Sequence, residues 1–210
     1  MSIIVKAAHY AADRHRLQRR KDATKTPYIN HPLEVARLIS EVGGVDTPVV
    51  IVAAMLHDVV EDTGTSADEI EREFGPVIRH VVEEVTDDKS LPKSERKRLQ
   101  VSHAQDKSYM ARLVKLADKL SNLRDLIRNP IWEPARVQGY FVWSHAVVQG
   151  LRGTNTGLEA ALDRVFHKRV KIVGPKDENG FQQVRTYPAI PSWEPAELEK
   201  LLEEYYKSLE

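Results

Sequence analysis

Cysteine is absent from the 210 residues, which excludes disulfides, thiolate metal sites, iron–sulfur clusters and a cysteine nucleophile. An excess of either charge is also missing, because Lys and Arg together number 31 and Asp and Glu together number 31. The chain therefore has no net charge that would attract it to nucleic acid or to a membrane surface, and we expect neither as a partner. The longest apolar run, residues 49–56, is too short to cross a bilayer, and residues 1–15 lack the apolar core of a signal peptide. These absences predict a cytoplasmic protein.

Alanine-rich segments with helical periodicity fill most of the chain, and alternating β-branched runs are scarce before residue 168. This pattern predicts an all-α helical bundle. The expected helices include residues 49–62, 65–74, 77–85, 110–128 and 132–151. Residues 171–173 and 181–187 then predict a short hairpin, and Ser192 is expected to cap a terminal helix. We therefore expect two parts, an α-helical domain of residues 1–167 and a small C-terminal appendage of residues 168–210.

The helix predicted at residues 49–62 is apolar on every side up to Leu56 and then turns abruptly polar. In its last turns His57 and Glu61 are four residues apart, as are Asp58 and Asp62, so each pair shares a face. Carboxylates this close repel each other, and a cation held by His57 and Asp58 would offset that repulsion. Glu61 and Asp62 could then orient or deprotonate a bound water. The alternatives are a capping aspartate beside a hydrogen-bonded core histidine, and a solvated helix end.

Two further groups would complete a metal site. Asp118 lies on a polar row of the helix predicted at residues 110–128, and His31 lies in a loop that contains two prolines. Together His31, His57, Asp58 and Asp118 would form a mixed nitrogen and oxygen set, which suits Mn²⁺, Fe²⁺ or Zn²⁺. Spacing alone leaves open a surface ion pair between Asp118 and a neighbouring basic residue.

Basic residues cluster at positions 19–21 and 89–97, where they could clamp phosphate groups or simply form solvated faces. The sequence has no P-loop and no dinucleotide fingerprint, so a nucleotide would have to be held by side chains. Four aromatic residues could stack on a base, although core packing is the more common role of such residues at helical spacing. They are Trp132, Tyr140, Phe141 and Trp143.

Four segments, at residues 19–32, 56–63, 85–93 and 115–126, occur in the same order as the motifs of a known family. They closely resemble the HD-domain hydrolases of the RelA/SpoT family. The likeness is greatest to the stand-alone small alarmone hydrolases, a group that includes the metazoan SpoT homologue. It extends from about residue 5 to residue 166 and leaves the appendage outside.

The resemblance implies an all-α HD fold and a Mn²⁺-dependent hydrolase acting in the stringent response. It implies removal of the 3′-pyrophosphate of ppGpp and pppGpp, which gives GDP or GTP and pyrophosphate. The metal ligands of the family fall on His31, His57, Asp58 and Asp118, and its catalytic carboxylates fall on Glu61 and Asp62. The positions that contact the nucleotide in the family fall on Arg20, Lys21, Lys93, Asn122, Arg136 and Tyr140.

Other functions fit the same residues. The length of 210 residues leaves no room for the synthetase and regulatory domains of the long relatives, so the resemblance implies hydrolysis without synthesis. The same ligand set would serve removal of the 2′-phosphate of NADPH, or another HD-type nucleotide phosphohydrolase. The alternative from another class is a non-catalytic module that binds alarmone, although no ligand or catalytic carboxylate of the family is missing. The oligomeric state, with a homo-oligomer as one alternative, and the role of the appendage stay open.

Overall fold

Helices make up most of this chain in the computed structural model, which describes residues 2–22, 24–128, 132–168, 170–176, 178–180, 182–187 and 190–210. In chain order they are α1 (Ile3–Arg14), α2 (Asn30–Glu41), α3 (Pro48–Leu56), α4 (Val59–Thr63), α5 (Ala67–Phe74), α6 (Pro76–Val85), α7 (Lys93–Ser102), α8 (Tyr109–Arg128), α9 (Pro134–Gly150), α10 (Thr156–Phe166) and α11 (Pro195–Lys207). The all-α prediction is therefore confirmed. None of the described helices is both long and apolar enough to span a membrane.

Helix α3 forms the centre of the bundle, as its uninterrupted apolar sequence predicts. It begins with Pro48 in the first turn, where the missing N–H costs nothing. Its residues from Val50 to Leu56 are all buried, and it packs against α1, α2, α6 and α8. The apolar run of α3 therefore ends at Leu56, the residue that precedes His57.

The prediction of one continuous helix over residues 49–62 is wrong. Helix α3 ends at Leu56 and α4 begins at Val59, so His57 and Asp58 form a break between two helices. Both Leu56 and Val59 are completely buried. His57 and Asp58 thus form a short turn between two helices, flanked on both sides by buried apolar residues.

Helix α8 is enclosed on more faces than its sequence indicates. Its leucine stripe is buried as expected, but Lys115, Asp118 and Lys119 are buried as well. The predicted polar row is therefore interior for this stretch, because α8 packs against α2, α3, α6, α9 and α10. Asp118 reaches the core of the bundle as a consequence.

Some helix boundaries differ from prediction. Helix α2 begins at Asn30, so His31 lies in its first turn and not in the preceding loop. Helices α7 and α10 were not predicted. The N-terminus of α10 carries a recognisable signal, since the Asn155 side chain accepts a hydrogen bond from the Leu158 N–H at 2.9 Å.

The appendage contains the predicted hairpin and terminal helix. Strands β1 (Val170–Lys176) and β2 (Gln182–Tyr187) are antiparallel, with Val170 opposite Tyr187 and an irregularity between Val173 and Lys176. The predicted cap of the last helix is wrong, because α11 begins after Glu194, which forms a reciprocal capping box with Glu197. The division of the chain at residue 167 stays a prediction.

Candidate active site

The four predicted metal ligands converge from three places in the bundle. His31 comes from α2, His57 and Asp58 from the break after α3, and Asp118 from α8. One ligand atom each of His31, His57 and Asp118 lies within 4.8 Å of the others. The Oδ2 atom of Asp58 lies 3.0 Å from Nε2 of His57 and 3.7 Å from Nε2 of His31. Nε2 of His31 is also 3.2 Å from Oδ1 of Asp118.

Each of the two imidazole rings is oriented by a partner at its Nδ1 atom. Nδ1 of His57 lies 2.7 Å from the Ala54 carbonyl, which can only accept, so Nδ1 carries the proton and Nε2 of the neutral ring carries a lone pair. Nδ1 of His31 similarly faces the Ser121 hydroxyl at 3.1 Å. Such hydrogen bonds orient metal-binding histidines in many proteins.

The donor set fits a divalent cation. Nε2 of His57 is buried and makes no hydrogen bond within the described structure, although carboxylate oxygens surround it. Nitrogen lone pairs and carboxylates that face one another at these distances repel unless a positive charge lies between them. The ring nitrogens and carboxylate oxygens are ligands that Mn²⁺, Fe²⁺ and Zn²⁺ all accept.

The pKa values of these groups report the same electrostatics. Burial opposes the charged form of His57, but the carboxylates of Asp58 and Asp118 raise the pKa of His57 to about 9. Burial likewise opposes the charge of both carboxylates, but the neighbouring imidazoles, and Lys119 beside Asp118, hold the pKa of Asp58 and of Asp118 well below the usual range. The site without its cation therefore binds a proton in its place, and a metal ion would have to displace it.

A second set of side chains orients the carboxylate ligands. The Tyr28 hydroxyl donates to Oδ2 of Asp58 at 2.7 Å. The Lys119 ammonium donates to Oδ2 of Asp118 at 2.9 Å, and the Asn122 amide donates to Oδ1 of the same residue at 2.6 Å. The sequence analysis missed Tyr28, Lys119 and Ser121 as supporting residues. All three lie within the recognised motifs and close in sequence to a proposed ligand, and this proximity could have indicated them.

The two predicted catalytic carboxylates have different surroundings. Asp62 lines a cavity beside the ligands, where its Oδ2 accepts from the Gln18 amide at 2.9 Å and its Oδ1 pairs with Lys89 at 2.7 Å. Glu61 is not among the residues that line this cavity. Its Oε2 accepts from the Asp87 N–H at 3.2 Å, and burial, followed by the negative charge of Asp87, raises its pKa. Asp62 therefore faces a bound molecule more directly than Glu61 does.

The cavity beside the ligands has a volume of about 680 Å³, which is within the range of small-molecule sites. Among the predicted nucleotide contacts, those that line it are Arg20, Lys21, Asn122 and Tyr140. Arg20 is held across the cavity wall by an ion pair with Asp125 and by a contact to Asn122 at 3.3 Å. Its guanidinium is therefore fixed before any ligand arrives.

Lys93 and Arg136, the other two predicted contacts, do not line the cavity but extend its positive charge. Partial burial, followed by the charges of Arg136, Lys21 and Arg96, lowers the pKa of Lys93. These cations are therefore close enough to repel one another, and a bound anion would reduce that repulsion. Arg136 also stacks on the Trp132 ring, 4.3 Å from its centroid.

The aromatic residues divide between cavity and core. Trp132 and Tyr140 line the cavity, with their ring centroids 5.6 Å apart. Phe141 and Trp143 are buried behind them. The expectation that core packing would be the more common role therefore holds for Phe141, Trp143 and also Tyr140, which is 8% exposed, while Trp132 and Tyr140 are the two that reach the cavity.

Known proteins share both the fold and this region of the sequence. Residues 7–139 match the HD domain family. The chain is 59% identical over 167 residues to the guanosine-3′,5′-bis(diphosphate) 3′-pyrophosphohydrolase MESH1 of Xenopus tropicalis, a match that covers 79% of this chain and 93% of that protein. It is 57% identical over 168 residues to the protein of the same name from Homo sapiens, covering 79% of this chain and 94% of that one.

A solved structure is similar as well. It is described as a metazoan ortholog of SpoT that hydrolyses ppGpp, and it is 49% identical to this chain with a TM-score of 0.77. The match covers 79% of this chain and 94% of that structure. About a fifth of this chain lies outside these alignments.

Proposed function

Because the chain belongs to the HD-domain family, and within it to the stand-alone ppGpp hydrolases of the RelA/SpoT group, we propose that it is a guanosine-3′,5′-bis(diphosphate) 3′-pyrophosphohydrolase. It hydrolyses ppGpp and pppGpp to GDP or GTP and pyrophosphate. The observation that carries the proposal is the convergence of two imidazoles and two carboxylates at one point, at the edge of a cavity lined by cations.

We propose that His31, His57, Asp58 and Asp118 hold one divalent ion, and that this ion is Mn²⁺. The mixed donor set supports a divalent ion and favours no single one of the first-row metals. When bound, such an ion polarises a phosphoryl oxygen and lowers the pKa of a water. Every other role in the reaction falls to side chains of this chain.

Asp62 is the residue we propose to position the attacking water and to accept its proton. Its carboxylate lines the cavity and is fixed by Gln18 on one oxygen and Lys89 on the other. Glu61, whose pKa is raised by burial and by the charge of Asp87, is the neighbouring group that can receive or return a proton. The bond that breaks joins the 3′-oxygen of the ribose to phosphorus, and water supplies the new oxygen.

The charged end of the cavity would hold the phosphate groups and the aromatic end the base. Arg20, Lys21, Lys93 and Arg136 supply positive charge, and Arg20 is already oriented by Asp125. Asn122 and Tyr140 line the intervening wall. Hydrolysis without synthesis and a cytoplasmic location are both retained as predictions.

A product-resolved assay on ppGpp, pppGpp, NADPH and deoxynucleoside triphosphates tests this function. The expected result is release of pyrophosphate from ppGpp and pppGpp with the highest kcat/KM in the panel. A clear preference for NADPH, with release of phosphate, would replace the alarmone by a 2′-phosphorylated dinucleotide. Tight binding of ppGpp with no turnover in saturating Mn²⁺ would show a binding module.

A further inference from the structure

The appendage lies against the helix that carries part of the cavity wall. Elements β1 and α11 and the turn at Ile190–Ser192 all contact α9, and α11 also contacts α7. Helix α9 carries Arg136 and Tyr140, and α7 begins at Lys93. The last helix of the chain therefore bridges the two helices that supply three of the proposed substrate contacts.

Helices α9 and α11 approach closely at Gly139. A Cβ atom added there would lie 2.5 Å from Cδ2 of Tyr205 and 2.9 Å from both Cβ and Cγ of that side chain. The Tyr205 ring thus lies directly on the backbone of α9, one residue before Tyr140. Glycine inside a helix costs up to about 1 kcal/mol relative to alanine, and the approach of Tyr205 is a physical reason for glycine here.

Aromatic rings continue from this contact to the cavity. The centroid of the Tyr205 ring is 6.4 Å from that of Trp143, which is 5.1 Å from that of Tyr140. Trp143 is itself fixed, because its Nε1 donates to the Lys97 carbonyl at 3.0 Å. A displacement of Tyr205 would therefore shift Tyr140, both through the backbone of α9 and through the packed rings.

A second contact of α11, away from α9, is made with α7. Arg98 on α7 makes two hydrogen bonds to the Glu203 carboxylate, at 2.7 and 2.8 Å, and its guanidinium lies 4.1 Å from the centroid of the Tyr206 ring. Tyr205 and Tyr206 are both buried, with 5% and 3% of their surfaces exposed. The two tyrosines thus have similar burial but different partners, since Tyr205 faces α9 and Tyr206 lies beside Arg98.

We propose that α11 is a positioning element for the substrate cavity and that Tyr205 is its positioning residue, holding Gly139, Trp143 and Tyr140 in the arrangement that binds the nucleotide. The inference rests on the proposed function, because it takes Tyr140 as a substrate contact. Tyr205 touches neither the reacting atoms nor the ligands, so its effect falls on substrate binding and not on the chemical step.

Comparison of Tyr205→Ala with Tyr206→Ala in the full-length chain tests the proposal. Each variant removes one buried ring from α11, so both should lower Tm. In Tyr205→Ala we expect the KM for ppGpp to rise at least about fivefold with kcat within about twofold of wild type, a change of about 1 kcal/mol in binding. Tyr206→Ala should keep the wild-type KM. An unchanged KM in Tyr205→Ala, or the same rise in both variants, would overturn the proposal.

A cycle with Gly139→Ala keeps the proposal testable if Tyr205→Ala fails to fold. The added methyl group must displace the Tyr205 ring, so Gly139→Ala should lower Tm and raise the KM, whereas Tyr205→Phe, which keeps the ring, should leave both unchanged. In the Tyr205→Ala background, where it folds, Gly139→Ala should cost less stability than it costs in wild type, because the contacts with Cδ2 and Cγ are gone and only the contact with Cβ at 2.9 Å remains. Wild-type Tm and KM in Gly139→Ala, or additive losses in the double variant, would contradict the contact.

The same measurements separate the two proposals. A wild-type chain that releases no pyrophosphate from ppGpp in saturating Mn²⁺ refutes the proposed function, whatever the variants do. An active wild type whose KM is indifferent to Tyr205→Ala and Gly139→Ala refutes only the role of α11.

Discussion

Nε2 of His57 faces Oδ2 of Asp58 at 3.0 Å, while Nδ1 of the same ring is committed to the Ala54 carbonyl at 2.7 Å. These two neighbours in the sequence form the short turn between α3 and α4. The arrangement leaves a lone pair and a carboxylate directed at the same point, where His31 and Asp118 also arrive. A cation at that point satisfies all four groups.

Asp62→Asn should abolish turnover without loss of metal. The amide keeps the shape of the side chain but cannot accept the proton of a water, and general base catalysis is worth about 10² to 10⁴ in rate. Single-turnover hydrolysis of ppGpp, with metal content measured on the same sample, checks this. Near-normal turnover in the variant would remove Asp62 from its proposed role.

The acid limb of the pH–rate profile should move when Asp87 loses its charge. Burial, followed by the charge of Asp87, raises the pKa of Glu61. If Glu61 acts as a carboxylate, activity is present above this raised pKa and is lost as pH falls through it. Asp87→Asn should lower the pKa and shift the limb to lower pH. Asp88→Asn is the control, because Asp88 pairs with Ser90 and does not contribute to the shift of Glu61. Identical profiles in the two variants would exclude Asp87 as the cause.

Arg20→Ala should weaken substrate binding far more than Arg19→Ala. The Arg20 guanidinium is oriented by Asp125 and Asn122, whereas Arg19 donates to the carbonyls of Arg16 and Gln18 in its own turn. A charge-assisted hydrogen bond is worth about 1.5 to 3 kcal/mol, so the KM for ppGpp should rise at least about tenfold in Arg20→Ala. Arg19→Ala should stay within about threefold of wild type. Steady-state kinetics give the KM for ppGpp in both variants. Equal increases would mean that the positive charge of the whole segment, and not Arg20 in particular, binds the substrate.

Lys115 should make stability depend on pH. Its ammonium is buried and donates to the Val85 carbonyl at 2.8 Å, and burial, followed by the charge of Lys119, lowers its pKa from 10.5. Below the lowered pKa both states hold the proton and the burial penalty is constant. Between that pKa and 10.5 the unfolded chain holds more protons, so stability rises with pH.

Urea unfolding at several pH values measures this effect as the difference between wild type and Lys115→Met. In that window the wild type should gain up to about 1.4 kcal/mol per pH unit relative to the variant. Lys200→Met is the control, because the Lys200 side chain is 77% exposed, and it should show no such slope. Parallel curves for wild type and Lys115→Met would mean that the ammonium is not buried in solution.

The sequence indicates each of the four proposed ligands through a local signal. His57 and Asp58 follow a wholly apolar helix, and such a helix must be central in the bundle. Asp118 and His31 lie within motifs that recur in order, and all four meet as expected. The fold class and the hairpin can also be predicted, because hydrophobic periodicity and turn residues are local features of the sequence.

Other features depend on contacts between distant segments. No local pattern in residues 49–62 marks the break at His57 and Asp58. The burial of Lys115 follows from the number of helices around α8, which its own sequence does not encode. The Gly139–Tyr205 contact joins α9 to α11 and is visible only in three dimensions.

Metal content tests the central claim most directly. Mass spectrometry of the purified protein, after dialysis, should find one divalent ion per chain in wild type and almost none in His57→Ala or Asp118→Asn. Chelation should abolish release of pyrophosphate from ppGpp, and added Mn²⁺ should restore it. Full turnover after complete removal of metal, or an unchanged metal content in the two variants, would contradict the account.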